Sequence, residues 1–527
     1  MLDHSVSKSL KNISVVATAT VVSRFLGLAR DLLGAAIFGS SVLNTAFLSA
    51  FRLPNLFRRL LGEGSLTAAF QPTLQQELHE HGKAGAFVLL NKVVSWLLVI
   101  TGALTALLML GFSQSRRLPG HEDKWYLLAD LTVILMPYLM FVCLAAAFSA
   151  TLNVFNRFLE PALSPIWLNL AMIASLGGAG MHFASTPLGE IHWLCAGVLF
   201  GGFLQLAVPA VALARAEGWR PRFDLGLSPR VCEIALLMAP GLWGTAIYQV
   251  NSYVSSMLAY SINDSAGTLM FYANRLMELP IGVFAIAIST VIYPLLSKHA
   301  IERNYAGLAE DFRKGIRLIL MINIPAAIGL ALLAEPIVRF LFQRHQFTAA
   351  DTQAMAPLLA FYAVGLPFFS VVSLLVRAFY SLKNTKAPVR VATIDFLINL
   401  ALSLLLMRWF GSAGLVIAST CAIIAQTLLL HRELQRTLPG MSLAPLASSF
   451  GKIAIAAVAM GLVVWIGAHF AERLPLVGKA RDFVTIVGLI PLAVAVYGAL
   501  LWVLKIEGRE ELAQILARLR GKKVTEA

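Results

Sequence analysis

The amino-acid sequence predicts an all-α polytopic membrane protein of about fourteen transmembrane helices. Two six-helix lobes, related by a parallel pseudo-twofold repeat, would surround a central cavity, and two extra C-terminal helices would follow. Three observations carry this. The 527 residues are 58% hydrophobic and only 13% charged, about half the charge density of an ordinary soluble chain. Their mean hydropathy is +0.76. Long apolar runs recur along the whole chain, and landmarks in its first half return in its second.

The runs fall near 13–38, 42–61, 86–112, 126–152, 161–183, 191–214, 231–262, 267–297, 314–342, 354–380, 388–409, 412–431, 450–471 and 483–505. Each is close to or above the roughly 20 residues that cross a bilayer as a helix. The first follows Lys8 and Lys11 and has no small-residue cleavage site, so it reads as an uncleaved span. The second contains Pro54, expected to kink it. The fourth opens at Trp125 and Tyr126, the eleventh closes at Trp409 and the fourteenth nears its end at Trp502, all at interface depth. The sixth ends at Arg215 and leads into a basic connector with Arg220, Arg222 and Arg230. The eighth carries Thr268, Arg275, Glu278 and Pro280, and the eleventh holds Asp395 and Asn399.

An even number of spans puts both termini on one side. With the N-terminus inside, the inner connections collect Lys83, Lys92, Arg157, Arg215, Lys298, Arg303, Lys383, Lys386 and Arg432, while the outer ones hold far fewer, such as Arg116, Arg117, Arg344 and Lys479. Positive residues concentrate in cytoplasmic loops, so both termini are expected in the cytoplasm. The same distribution explains the net charge of +14 without nucleic acid. Cys143, Cys195, Cys232 and Cys421 have no CxxC spacing and the histidines no paired-ligand spacing, so neither disulfides nor a metal centre is expected.

Pro72, Ala84-Gly85 and Lys92 recur at one common offset as Pro294, Ala306-Gly307 and Lys314, and Asn169 recurs at a slightly longer one as Asn399. A repeat of about 225 residues holds six spans, so both copies enter the membrane in the same direction. This divides the chain into an N-lobe (1–222), a C-lobe (223–440), helices 13 and 14 (441–506) and a basic cytoplasmic tail (507–527).

Charges inside a bilayer cost roughly 2.5–3.5 kcal/mol each on insertion scales, so the ones present are informative. Arg24 and Asp31 are seven residues apart in the first span; at about 100° per residue they share a face, with Arg30 roughly 120° away. Arg52 and Arg59 share a face in the second span, as do Thr268 and Arg275 in the eighth. Helix-end snorkelling or an Arg59–Glu63 pair is one reading of these cations. The other is a guanidinium-lined cavity for an anionic headgroup, since the guanidinium fork matches phosphate oxygens and stays charged when partly desolvated. Arg24, Arg30, Arg58 and Arg275 suit it best, supported by Asp31, Arg52, Arg59, Glu278 and Thr268. Asp395 and Asn399 share a face and, with Asn251, offer a candidate cation site or a structural hydrogen-bonded carboxyl. No Walker A, GxSxG or paired-carboxylate motif is present. The expectation is a non-enzymatic transporter without a cofactor, driven by membrane potential or an ion gradient.

The run Ser23-Arg24-Phe25-Leu26-Gly27-Leu28-Ala29-Arg30-Asp31, followed by Phe38-Gly39, Ala50-Phe51-Arg52-Leu53-Pro54-Asn55-Leu56-Phe57-Arg58-Arg59, Glu63-Gly64 and Ala69-Phe70-Gln71-Pro72, resembles the MurJ (MviN) family of the multidrug/oligosaccharidyl-lipid/polysaccharide (MOP) exporter superfamily. Tyr272-Ala273-Asn274-Arg275-Leu276-Met277-Glu278-Leu279-Pro280 is similar to that family's eighth-helix motif. The resemblance spans essentially the whole chain. It implies a lipid II flippase in the bacterial inner membrane, moving undecaprenyl-diphosphate-linked disaccharide-pentapeptide to the outer leaflet by alternating access for peptidoglycan synthesis. It implies that the family's cavity arginines fall on Arg24, Arg30, Arg58 and Arg275, with Asp31 as acidic partner, and that helices 13 and 14 hold the polyprenyl tail. The implied partners are lipid II and membrane lipids, with cell-wall synthesis proteins as further candidates. Thr45 and Asn274 stand where some relatives carry acidic residues. The alternatives are a flippase for another polyprenyl-diphosphate oligosaccharide, a cationic-drug exporter of the same superfamily, or a scaffold for cell-wall enzymes.

Overall fold

A computed structural model describes residues 2–115, 122–473, 475–476 and 478–510, with backbone alone at 2–14, 62–65, 240–241, 243 and 439. The described residues fold into fourteen long helices. The first six are α1 (Leu2–Phe38), α2 (Val42–Phe57), α3 (83–113), α4 (Asp123–Val154), α5 (Leu159–Phe183) and α6 (Pro187–Glu217). Then come α7 (Pro229–Ile262), α8 (Ala266–Ile301), α9 (Tyr305–Leu332), α10 (Ala349–Ser381), α11 (386–410), α12 (412–437), α13 (Ala447–Glu472) and α14 (Lys479–Val503).

Among the described residues ten helical stretches are long and apolar enough to cross a bilayer, and α7, bent by 54° between Ala239 and Gly244, makes an eleventh. Two of the ten, 42–113 and 386–437, each hold two helices, separated by the positive-φ glycines Gly82 and Gly411. With α1 this matches the fourteen apolar runs of the sequence. Large apolar side chains lie exposed on the helices, among them Phe25, Leu107, Leu110 and Val291, as expected where the neighbour is lipid rather than water.

The chain forms two compact units: Met1–Thr268 with Arg344–Phe347, and Leu269–Gln343 with Thr348–Ala527. The first buries Phe47, Tyr138, Cys195 and Val198 in one cluster and Phe70, Leu90 and Phe148 in another. Helix approach there depends on small residues: a Cβ on Gly202 would come within 2.5 Å of the Tyr138 ring, and one on Gly201 within 2.9 Å of Leu168. The second unit centres on Phe312, Ile316, Leu374, Phe379 and Ile453. Its last helix is tied in by Tyr497, whose hydroxyl donates to the Met321 carbonyl at 2.8 Å, and by Arg339, whose Nε lies 3.0 and 3.1 Å from the two oxygens of the buried Asp482.

The repeat is visible in backbone geometry. Wide π-helical turns occupy Arg58–Gly64 and Ile281–Ala285, and they begin at equivalent places in the two copies. Asn156 and Lys383 both adopt positive φ (59° and 58°) at the turn closing α4 and α10. At the common offset Gly82 (φ 65°) aligns with Asn304 (φ −85°), and in the second copy the positive φ falls one residue earlier, on Arg303 (56°), where a side chain is disfavoured.

In each unit the segment leaving the sixth helix of a copy folds back on the third. In the first unit, residues 218–228 lie against α3. Trp219 Nε1 donates to Asn91 Oδ1 at 2.9 Å, Asn91 Nδ2 donates to the Arg220 carbonyl at 3.2 Å, and the Asp224 N–H donates to Ser95 Oγ at 2.9 Å. The Trp219 ring meets Phe148 edge-on at 5.0 Å. In the second unit Arg313, the repeat counterpart of Asn91, donates to the Gly440 carbonyl at 2.9 Å.

Candidate functional site

The charge centre in the first unit is built on α1. Arg30 places Nε at 3.0 Å and Nη2 at 2.6 Å from the same Asp31 oxygen, Oδ1. Asp31 is 5% exposed, so the pair keeps its charge inside an apolar helix only by mutual neutralisation and hydrogen bonding. On its other edge the guanidinium donates through Nη1 to Asn169 Oδ1 at 3.1 Å and approaches Met172 Sδ at 3.7 Å, both on α5. Asn169 in turn donates from Nδ2 to the Ser23 carbonyl at 3.2 Å. The plane of Arg30 is therefore held on two edges by three side chains. A guanidinium has five N–H donors; these contacts engage four and leave one Nη2 donor for a further acceptor.

The helical wheel places Asp31 on the face of Arg24, with Arg30 turned away. The pairing in the structure is with the adjacent Arg30, because a long guanidinium stem can bend along the helix surface where a seven-residue face rule considers only Cβ directions. Arg24 is exposed.

On α2, Arg52 donates through Nη1 to the Ser252 carbonyl at 3.2 Å. Arg58 is half-buried and Arg59 exposed, both in the wide turn Arg58–Gly64. That turn begins four residues after Pro54, which remains inside the helix. The Arg59–Glu63 pair involves a Glu63 side chain outside the described residues.

At the other end of α2, Thr45 and Thr268 are fully buried with hydroxyl oxygens 2.8 Å apart, and Thr45 Oγ1 also donates to the Asp264 carbonyl. Thr268 is thus engaged by a neutral hydroxyl pair rather than exposed as a headgroup ligand. The α1–α2 corner turns at Gly39 (φ 57°), where a Cβ would come 2.4 Å from the Gln346 carbonyl oxygen. The Gln346 N–H donates to the Ala36 carbonyl at 3.0 Å.

In the second unit, Arg275 Nη1 lies 3.6 Å from Glu278 Oε2, and Asn274 Nδ2 donates to Glu278 Oε1 at 3.0 Å. Glu278 therefore holds Arg275 and the residue before it, on a partly exposed surface. Asn399 is buried and accepts from Ser403 at 3.4 Å, while Asp395 one turn earlier is half-buried. Asn251 belongs to the first unit.

Asn169 is the site residue that sequence reasoning passes over, since it stands out there only as a repeat landmark. A carboxamide in the middle of an apolar run, recurring as Asn399, is the available signal.

Comparison with known proteins places these residues in a family. A family model described as lipid II flippase MurJ matches residues 34–480. The chain is 34% identical over 520 residues to a probable lipid II flippase MurJ of Bdellovibrio bacteriovorus, covering 96% of each. It is 32% identical to the probable lipid II flippase MurJ of Vibrio cholerae, covering 96% of this chain and 98% of that one. Among solved structures it resembles a lipid II flippase MurJ in an inward closed conformation, with a TM-score of 0.74 and 25% identity over 92% of this chain and 97% of that one. An inward-facing multidrug resistance MATE transporter of the MOP superfamily shares the fold at a TM-score of 0.66 and 12% identity, over 82% of this chain and 98% of that one.

Proposed function

The chain belongs to the MurJ lipid II flippase family, and from that premise we propose that it moves undecaprenyl-diphosphate-linked peptidoglycan precursor from the inner to the outer leaflet of the bacterial inner membrane. The observation that carries this for the chain's own residues is the Arg30 centre. A guanidinium oriented by Asp31 and Asn169 retains a donor for a phosphate oxygen, and bidentate or charge-assisted bonds to phosphate are the strong class of hydrogen bond. Arg24, Arg58 and Arg275 are the further cations proposed for the anionic headgroup, with Arg52, Arg59 and Glu278 as supporting groups; Thr268, buried against Thr45, contributes only to packing. Lipid II release follows from alternating access, driven by the membrane potential or an ion gradient, with no cofactor. Asp395, Asn399 and Asn251 are the candidate groups for a coupling cation. Residues 1–222 and 223–440 act as the two moving lobes, and 441–506 accompany the polyprenyl tail.

Both termini face the cytoplasm in this reading, supported by the basic residues at Lys83, Arg157, Arg215 and Lys298. A cysteine introduced at Lys83 should then resist an impermeant thiol reagent in whole cells, and one at Lys479 should react.

The functional test is complementation of bacteria depleted of their own lipid II flippase, scored by survival and by leaflet labelling of lipid II. The wild-type chain should rescue. Arg24→Ala, Arg30→Ala, Arg58→Ala and Arg275→Ala at matched membrane levels should accumulate inner-leaflet lipid II. A wild-type chain that fails redirects the substrate to another polyprenyl-linked sugar. Full rescue by all four variants removes the arginines from substrate binding.

A further inference from the structure

A groove of about 430 Å³ in the first unit, lined by none of the residues of the Arg30 centre, has a composition that the flippase reading does not use. Its walls are Ala207, Val208 and Val211 of α6, and its charged members are Arg157 and Arg215. Arg215 stands in the last turn of α6 and is exposed. Arg157 follows the positive-φ residue Asn156, so the α4–α5 turn fixes its approach, and it is ion-paired with Glu160, its Nε donating to Oε1 at 3.1 Å and its Nη2 to the same oxygen. The pair occupies the Nε–Nη2 edge of the guanidinium and leaves the Nη1 side for the groove, while Arg215 supplies the unneutralised charge.

The same face of α6 continues away from the arginines as an apolar stripe at helical spacing. Phe200, Phe203 and Val211 are 57%, 50% and 45% exposed, with Ala207 between Phe203 and Val211. A cationic end joined to a lengthwise apolar stripe is the pattern of a lipid with an anionic headgroup. A free phosphate would need only the arginines, and a neutral lipid only the stripe. Basic pockets between transmembrane helices on the cytoplasmic side are established headgroup sites.

We propose that this groove binds an anionic diacyl phospholipid of the inner leaflet, its phosphate between Arg157 and Arg215 and an acyl chain along Phe200 and Phe203. The leaflet assignment rests on the orientation proposed above; the binding itself does not.

The test is native mass spectrometry of the purified full chain with palmitoyl-oleoyl phosphatidylglycerol or the matching phosphatidylcholine added at equal concentration. Phosphatidylglycerol should be retained preferentially. Each guanidinium near a lipid phosphate is worth about fivefold in affinity, so Arg157→Gln with Arg215→Gln should lose roughly thirtyfold and bring the two lipids level. Arg215→Gln alone leaves the Arg157–Glu160 bond intact and should show the single-residue loss with an unchanged melting temperature. Arg215→Lys should recover part of it, and Arg432→Gln, an exposed cation on α12, should change nothing. Equal retention of the two lipids by wild type overturns the proposal. So does undiminished retention in the double variant, or one-for-one displacement of phosphatidylglycerol by undecaprenyl diphosphate, which would make the groove part of the substrate path. The measurement requires no transport, so its failure is separable from failure of the flippase reading.

Discussion

Replacing Asn169 with alanine removes an acceptor from Arg30 Nη1 and a donor from the Ser23 carbonyl in a single change. The second loss is small, because the Ser23 carbonyl lies within α1 and keeps its helical partner. The first is a hydrogen bond to a charged group, worth about 1.5–3 kcal/mol. Taking about 2 kcal/mol as the orienting energy lost, and about 1.4 kcal/mol per factor of ten, transport should fall roughly thirtyfold if Arg30 must keep its plane to receive a phosphate. Asn169→Asp restores an oxygen beside Arg30 while giving up the donor, so it should recover much of the loss. A purely structural role for Asn169 predicts the reverse order, since a carboxylate in that apolar setting packs worse than alanine. The assay is leaflet labelling of lipid II in depleted cells at matched protein levels, with melting temperature measured in parallel. Wild-type transport by Asn169→Ala, or equal failure of the alanine and aspartate variants, would refute the reasoning.

Three further outcomes follow from the geometry. Thr45→Val and Thr268→Val should each destabilise by about 1–2 kcal/mol by leaving a buried hydroxyl partner, and the double variant should cost less than their sum because both partners leave together; thermal denaturation of the four proteins closes the cycle. Gly39→Ala should lower the melting temperature and resist rescue by nearby small-residue substitutions, since its Cβ meets backbone, the Gln346 carbonyl oxygen, at 2.4 Å on a positive-φ residue. Asp224 is held below the usual carboxylate range, first by the Gly226 N–H and then by Lys92, against an opposing effect of desolvation. A depressed folded-state pKa stabilises at pH above the unfolded value and is lost as pH falls through the folded one. Hydrogen-exchange protection of 218–228 should therefore hold at neutral pH and decline on acidification below the ordinary carboxylate range, and Asp224→Asn should remove that component.

The fold was legible because a bilayer imposes length and apolarity on every span, so hydropathy alone locates fourteen helices. Kinks are less so. Pro54 is expected to kink the second span, yet the helix continues through it and widens only from Arg58. At the site, spacing identifies which charges are costly but not their partners. Asp31 pairs with its neighbour Arg30, and Thr268 with the distant Thr45. Side-chain reach decides the first and tertiary packing the second, and neither is written in helical periodicity. Asn169 is visible as a landmark yet silent as a ligand, since a carboxamide declares its partner only when both helices are in place.

The wide turns at Arg58–Gly64 and Ile281–Ala285 also carry a chronology. Such a turn is in effect one residue inserted into a regular helix, and two independent insertions at corresponding positions are a poor coincidence beside a single ancestral one. A single insertion preceding the duplication would account for both, whereas the third wide turn, Ser175–Gly180, has no counterpart in α11 and belongs to the first copy alone. Divergence since then has lengthened connections, so that the offset between copies is greater at Asn169 and Asn399 than at the turn before the third helix, and has shifted the positive-φ position of that turn by one residue, from Gly82 in the first copy to Arg303 in the second.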